Sequence, residues 1–310
     1  MAMDVKNPIT LKLMSQLADL TDSMQGAYNI REDSGCAARH STDNIEIKTK
    51  VGKPGIDILI KGGTKGEKVF IPALVTHSDV DDLVYNDFFV GPEADVTIIA
   101  GCGVHTEGCG DSKHNGIHRF FLGRDSRVVY IEKHIGVGEG TGKRIINPQT
   151  YIEAEENSYM EMETTQIEGV DSTKRFSKAT LKDGARLVIR EKIMTHGEQY
   201  AETAFEVDMD GEDCSTHLVS RSVAKDHSRQ LFLSKINGNN RCAGHSECDA
   251  IIMDHGVVSA VPEITANHLD ASLIHEAAIG KIAGEQLTKL MTLGLTEKEA
   301  EERIVQGFLE

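Results

Sequence analysis

The stretch Ser246-Glu247-Cys248-Asp249-Ala250-Ile251-Ile252-Met253 decides how this chain is read. It predicts a strand with a single thiol, flanked by apolar residues. Pro262-Glu263-Ile264 follows, and then His275-Glu276-Ala277-Ala278, after which the pattern turns helical. A soft thiol, an imidazole and a carboxylate therefore stand where a strand-rich body gives way to a helical tail. Those are the donor types that hold iron and sulfur.

Upstream, from 45 to 259, the texture is strand and turn. Short alternating segments recur at 45–51, 56–60, 69–75, 96–99, 128–135, 159–167, 186–194, 203–208, 216–223, 230–236, 250–253 and 257–261. Asp183-Gly184, Asp210-Gly211 and Asn237-Gly238 read as turns between them. No helical period interrupts 159–261. Such a body is mainly β: a sandwich, a barrel, a propeller or a solenoid. The open-ended train of similar strands favours the solenoid. So does an aromatic share of 5% without Trp, which leaves a core of Ile, Leu, Val, Met and Ala. No crisp repeat motif is visible. At the start, Leu11, Leu13, Met14, Leu17, Leu20 and Met24 fall near helical spacing and predict an amphipathic helix over 9–24, whereas 29–42 reads as polar and irregular.

Downstream, Ile279, Ile282, Ala283, Leu287 and Leu290 form one stripe and predict a helix over 276–291, stopped by Gly294. Thr296-Glu297-Lys298-Glu299 is a capping box that opens a second helix running to Phe308, with Ala300, Ile304, Gly307 and Phe308 as its apolar side. This hairpin covers the end of the β body, or offers a docking surface, or both. The expected organisation is an N-terminal helical and irregular segment (1–44), a β core (45–270) and a helical partner-docking segment (271–310).

Composition sets limits. A chain of 310 residues can bury a sizeable core. A net charge of −16 argues against a phosphate-backbone partner, so no nucleic acid is expected. No apolar run is long enough to cross a bilayer, and the first 24 residues lack the apolar centre of a secretory leader. Six cysteines in 310 residues do not make a dense disulfide framework. The expectation is a cytoplasmic protein with reduced thiols and no membrane partner.

Each candidate for chemistry has two readings. Cys248 is a buried core thiol, or a sulfur acceptor or iron ligand that needs a depressed pKa or a metal. Strand alternation puts Asp249 on the opposite face from Cys248. His275-Glu276 lacks the second His of a zinc-protease helix, because position 279 is Ile, so it reads as a helix cap or surface pair, or as a ligand pair. Cys102 and Cys109, in Gly101-Cys102-Gly103-Val104-His105-Thr106-Glu107-Gly108-Cys109-Gly110 with His114 and His118 beyond, form a Gly-rich loop or a zinc or iron–sulfur site. Gly136-Val137-Gly138-Glu139-Gly140-Thr141-Gly142-Lys143-Arg144 fails the phosphate-loop pattern at Val137 and Arg144, which leaves a mobile hairpin loop. Asp79-Val80-Asp81-Asp82 reads as a turn or cap, and the acidic residues of 153–168 as a solvated strand face.

The segment from Cys248 to Met253, with Pro262, His275-Glu276-Ala277, Lys281-Ile282, Gln286-Leu287, Gly294-Leu295 and Ile304-Val305-Gln306-Gly307-Phe308, resembles the C-terminal core of the SufB/SufD family. These are scaffold subunits of SUF iron–sulfur cluster assembly. A weaker likeness reaches back to about Val96, through Gly101-Cys102 and His118. The resemblance implies a right-handed parallel β-helix with an N-terminal helix and a C-terminal helical hairpin. It implies a homodimer or a pair of related scaffolds joined partly by strands, and C-terminal helices that bind a SufC-type ABC ATPase. It carries Cys248 over as the cysteine that receives sulfur and builds the cluster, and Glu276 as a ligand with His275 beside it. The cysteine at 248 favours a SufB-like reading. Cys109 and the local histidines depart from the family pattern.

These points together predict a non-enzymatic scaffold. It would bind a transient iron–sulfur cluster through Cys248 with Cys102, Cys109 or Glu276, take sulfur from a cysteine-derived donor and pass the cluster to apo-proteins, with ATP hydrolysis on the partner. The rival expectations are a SufD-like structural subunit without its own cluster, and a zinc protein using the Cys102/Cys109 loop.

Overall fold

The computed structural model describes residues 7–17 and 25–310, and all but the side chain of Glu168 among them. The first helix, α1 (Pro8–Gln16), is capped by the Asn7 side chain, which accepts from the Ile9 amide. Its Leu13 and Met14, with Leu17 just beyond, pack on Ile30, Phe70, Leu74, Ile99 and Ile135, while Leu11 is half exposed. Leu20 and Met24 of the expected stripe lie outside the described residues.

Twenty strands follow. The first half holds β1 (Ala27–Glu32), β2 (Gly35–His40), β3 (Ile45–Thr49), β4 (Gly55–Ile60), β5 (Lys65–Val75), β6 (Asp81–Val90), β7 (Asp95–His105), β8 (Ser112–Leu122), β9 (Arg127–Val137) and β10 (Arg144–Ile146). The second half holds β11 (Gln149–Ala154), β12 (Tyr159–Glu168), β13 (Ser172–Leu181), β14 (Arg186–Thr195), β15 (Tyr200–Met209), β16 (Cys214–Ala224), β17 (Arg229–Gly238), β18 (Cys242–Ile252), β19 (Val257–Ala266) and β20 (Ala271–Gly280). They alternate between two sheets. One runs β2-β1-β5-β7-β9-β12-β14-β16-β18-β20; the other runs from β19 back to β3. Apart from the antiparallel pairs β1–β2 and β3–β4 at the start, neighbours are parallel. This is a parallel β-solenoid of about 8 turns, as the sequence predicted.

The solenoid forms because strand alternation survives from rung to rung. In β13, β15 and β17 every second residue is buried, and the parallel register stacks inward residues on inward residues. The lumen is filled by Ile58, Phe88, Phe120, Met162, Leu187 and Ile189. Phe88 and Phe120 stack at 4.4 Å between ring centroids, a contact that adds about 1 kcal/mol beyond its area. Turns stack as well. Glu93, Asp125, Asn157, Gly184 and Asp213 occupy equivalent corners with positive φ, where Gly, Asn and Asp are tolerated best.

Several local expectations change. Residues 29–42 are not irregular; they hold β1 and β2, joined as a hairpin. Asp79 is a turn residue, but Asp81 and Asp82 begin β6. Asn237 and Gly238 end a strand instead of making a turn. The Gly-rich segment after 136 is a solenoid corner stacked on the corner at 106–110. A Cβ on Gly142 would lie 1.9 Å from the Gly110 carbonyl oxygen, so the close approach requires glycine there. The expected helix over 276–291 is strand until Gly280. Full pairing of β20 with β18 outweighs the helix propensity of Glu276-Ala277-Ala278.

The tail is α2 (Gly284–Thr292) and α3 (Glu297–Leu309). The capping box between Thr296 and Glu299 is present, and Gly294 follows α2 at φ 97°. Ala300, Val305 and Leu309 are buried, and α3 packs through Val305, Leu309 and Phe308 on Val223, Met194 and Ile251. It therefore lies along the flank of the solenoid. In α2 no residue is buried, and Met291 and the following Leu293 are 44% and 77% exposed.

Candidate functional site at the open end of the solenoid

Among the described residues, the last rung, β19 and β20, has no strand beyond it. Ile264 and Ile279 are each more than a third exposed there, whereas their inward neighbours one rung earlier, Ile236 and Ala250, are buried.

Cys248 lies one strand below this opening. It faces inward and is 1% exposed. Register places it beside Ser220 on one side and Ala277 on the other. Below Ser220 the same inward column continues through Glu191, Thr164 and Glu132. His275 shares the inward face, paired with Ser246, and its Nδ1 has no hydrogen-bond partner. Burial, with a smaller contribution from the Glu191 charge, pushes the Cys248 thiol up to about 12. The thiol is thus protonated at neutral pH, contrary to the depressed pKa that a free nucleophile needs; coordination to a metal would draw the proton off.

Glu276 sits elsewhere. It pairs with Glu247 on the outer face of the sheet, and its Oε2 is 3.5 Å from His245 Nε2. Cys102 is inward on β7, in register with His134 and close to Glu132. Five strand intervals separate β7 from β18, roughly 24 Å at the usual spacing. Cys109 is exposed in the corner after β7 and joins no cluster of three ligating residues among the described residues. Of the five expected site residues, only Cys248 and His275 share a face at the open end. The Cys102 thiol is also pushed up, by burial and then by Glu132.

Sequence reasoning missed the polar file inside the lumen. Asn86 meets His118 at 3.3 Å, and His118 meets the Tyr130 hydroxyl at 2.9 Å. Tyr130 donates to Glu132 at 2.9 Å, and Arg175 donates to the other Glu132 oxygen at 2.6 Å. The Arg175 Nε lies 3.6 Å from Glu191, which accepts from Thr203 and Ser220. Burial works most strongly against Glu132 ionising, but Arg175 and His134 hold it well below the usual carboxylate range. Burial raises Glu191, with Arg175 opposing. The signal was available: Leu187, Ile189, Glu191 and Ile193 share one parity, so the charge stands where the alternation demands an apolar residue.

Residues 85–308 match the family model described as SUF system FeS cluster assembly, SufBD core domain. The chain belongs to the SufBD family of iron–sulfur cluster assembly proteins. An iron–sulfur cluster assembly SufBD family protein of Methanothermobacter thermautotrophicus is 28% identical over 232 residues, covering 73% of this chain and 54% of that one. One from Methanocaldococcus jannaschii is 26% identical over 270 residues, covering 86% and 84%. The iron–sulfur cluster assembly protein SufB of Bacillus subtilis is 30% identical over 161 residues, covering 50% and 34%. This SufBD chain spans little more than half the length of relatives such as the first. Among its described residues, no helix is long and apolar enough to cross a membrane.

Proposed function

We propose that the open end of the solenoid is a scaffold on which an iron–sulfur cluster is assembled as cargo and from which it passes to apo-proteins. The observation that carries this reading is the position of Cys248: an inward thiol in the middle of the strand next to an uncovered rung, with His275 on the same face. One thiolate and one imidazole hold a cluster weakly, and a scaffold needs that lability. A second copy of the chain joined at the same end would cover the exposed Ile264 and Ile279 and bring a second Cys248 to the site. The working unit is then a homodimer. A cysteine-derived donor supplies the sulfur.

Turnover of ATP is assigned to a SufC-type ABC ATPase docked on residues 281–310, since Val137 and Arg144 break the only phosphate-loop-like stretch in the chain. The exposed apolar side of α2 suits that contact. ATP binding by the partner would turn the helices against the solenoid flank and rearrange the open end. The protein is a scaffold and not itself an enzyme, working in the cytoplasm.

Anaerobic reconstitution with ferrous iron and sulfide tests the reading. Wild type and Cys102→Ala should gain labile sulfide and visible absorption, and Cys248→Ala should not. Equal cluster content in Cys248→Ala removes the thiol from the site. The raised thiol pKa and the outward position of Glu276 also suit a SufD-like structural subunit. That reading predicts ATPase binding with no cluster uptake by wild type.

A further inference from the structure

The outer face of the last rungs carries a second group of ligating atoms. His245, Glu247 and Glu276 each place one within 4.8 Å of the others. Glu247 and Glu276 are direct cross-strand neighbours. Like charges in that position destabilise a sheet unless a cation lies between them. Among the described residues neither carboxylate has a lysine or arginine partner; the nearest positive candidate is His245, 3.5 Å from Glu276. On the same face, one column over, His217 stacks on His245 with ring centroids 5.0 Å apart and planes within 7°. The stack fixes the His245 ring. The Nε2 atoms of both rings are buried and lack a hydrogen-bond partner. Orphaned nitrogens beside unpaired carboxylates are the arrangement a metal completes.

The other cluster of three, Cys102, Glu132 and His134, differs in kind. Arg175 already neutralises Glu132 there, and all three residues are sealed in the lumen.

We propose that His245, Glu247 and Glu276 form an outer-face site for a divalent first-row metal ion, separated by the sheet from the Cys248 thiol. Two carboxylate oxygens and one imidazole nitrogen supply hard and borderline donors, and the half-exposed position leaves room for water to complete the shell. His217 is a positioning residue that holds the His245 plane. The site stands apart from the cluster reading: it uses no thiol and needs no sulfide.

Cobalt(II) titration of chelator-treated protein, followed by visible spectroscopy, tests it. Wild type should take up cobalt with the weak bands of an oxygen and nitrogen site. His245→Ala and Glu247→Gln should each lower affinity by about tenfold or more, and Cys248→Ala should leave it unchanged. His245 is about a third exposed and Glu276 about two thirds, both on the outer face and outside the lumen, so circular dichroism of the variants should match wild type. Unchanged affinity in both outer-face variants overturns the proposal, as does a thiolate-to-metal charge-transfer band that disappears with Cys248→Ala. Cluster reconstitution reads sulfide and this titration reads cobalt, so either result can fail without the other.

Discussion

Cys248 and Glu276 occupy neighbouring strands of one sheet and face opposite sides of it. Cys248 pairs with Ala277, so Glu276 is one residue out of step, and one residue in a strand is a change of face. A single chain therefore cannot close both groups on one ion.

Thiol labelling should sort the cysteines by burial. Native protein treated with a thiol-specific reagent should modify Cys36 and Cys109, while Cys102, Cys214, Cys242 and Cys248 react only after denaturation. Peptide mass mapping reads the result. Rapid native labelling of Cys248 would show that the last rung opens in solution.

The lumenal ion pair should be costly to break. Arg175→Ala leaves Glu132 charged and sealed, which should lower stability by about 3–5 kcal/mol in urea unfolding. Arg241→Ala, which removes exposed pairs to Asp213 and Glu212, should leave the unfolding midpoint nearly unchanged.

Acid should destabilise the fold through its buried histidines. Burial drives the pKa of His118 down from 6.5 to about 4 and lowers that of His134 too. Above pH 6.5 the His118 ring is neutral in both states. Below it the unfolded chain takes up a proton that the folded chain refuses until about pH 4. Stability should therefore fall as pH drops through that window, by ~1.4 kcal/mol per pH unit for His118. Urea midpoints between pH 7 and pH 4.5 measure it, and His118→Gln should flatten the slope.

Close stacking of corners should make Gly142 irreplaceable. Gly142→Ala forces a Cβ to within 1.9 Å of the Gly110 carbonyl and should cost more than about 2 kcal/mol. Gly280→Ala meets nothing within 4 Å and should be neutral or slightly stabilising. Thermal melts of the two variants decide.

Docking and covering by the terminal helices can be separated. Deleting 281–310 should keep the β circular dichroism signal and abolish co-purification with the ATPase. Leu287→Asp on α2 should do the same without lowering stability, because no residue of α2 is buried. Retained binding by both would confine the helices to packing on the flank.

The solenoid was legible because alternation and corner residues repeat along most of the body, as in β14 and β17. β6, β8 and β13 escaped because their inward positions hold Asp82, His114, His118, Thr173 and Arg175, so the apolar beat is lost. The same substitution of polar for apolar hid the lumenal file. Glu276 was assigned to a helix because Ala277, Ala278 and Ile279 fit a helical stripe as well as a strand. Only the pairing with β18 chooses, and that is a contact between residues far apart in sequence. Cys248 could be found from its local pattern; its distance from Cys102 depends on how many rungs intervene, which no short motif encodes.

The two extremities of the solenoid are unlike. The first ends in antiparallel strands of five and six residues, one of them bulged, while the last presents two full ten-residue strands. Among the described residues, the long free parallel edge therefore belongs to the extremity that holds β19 and β20, next to Cys248.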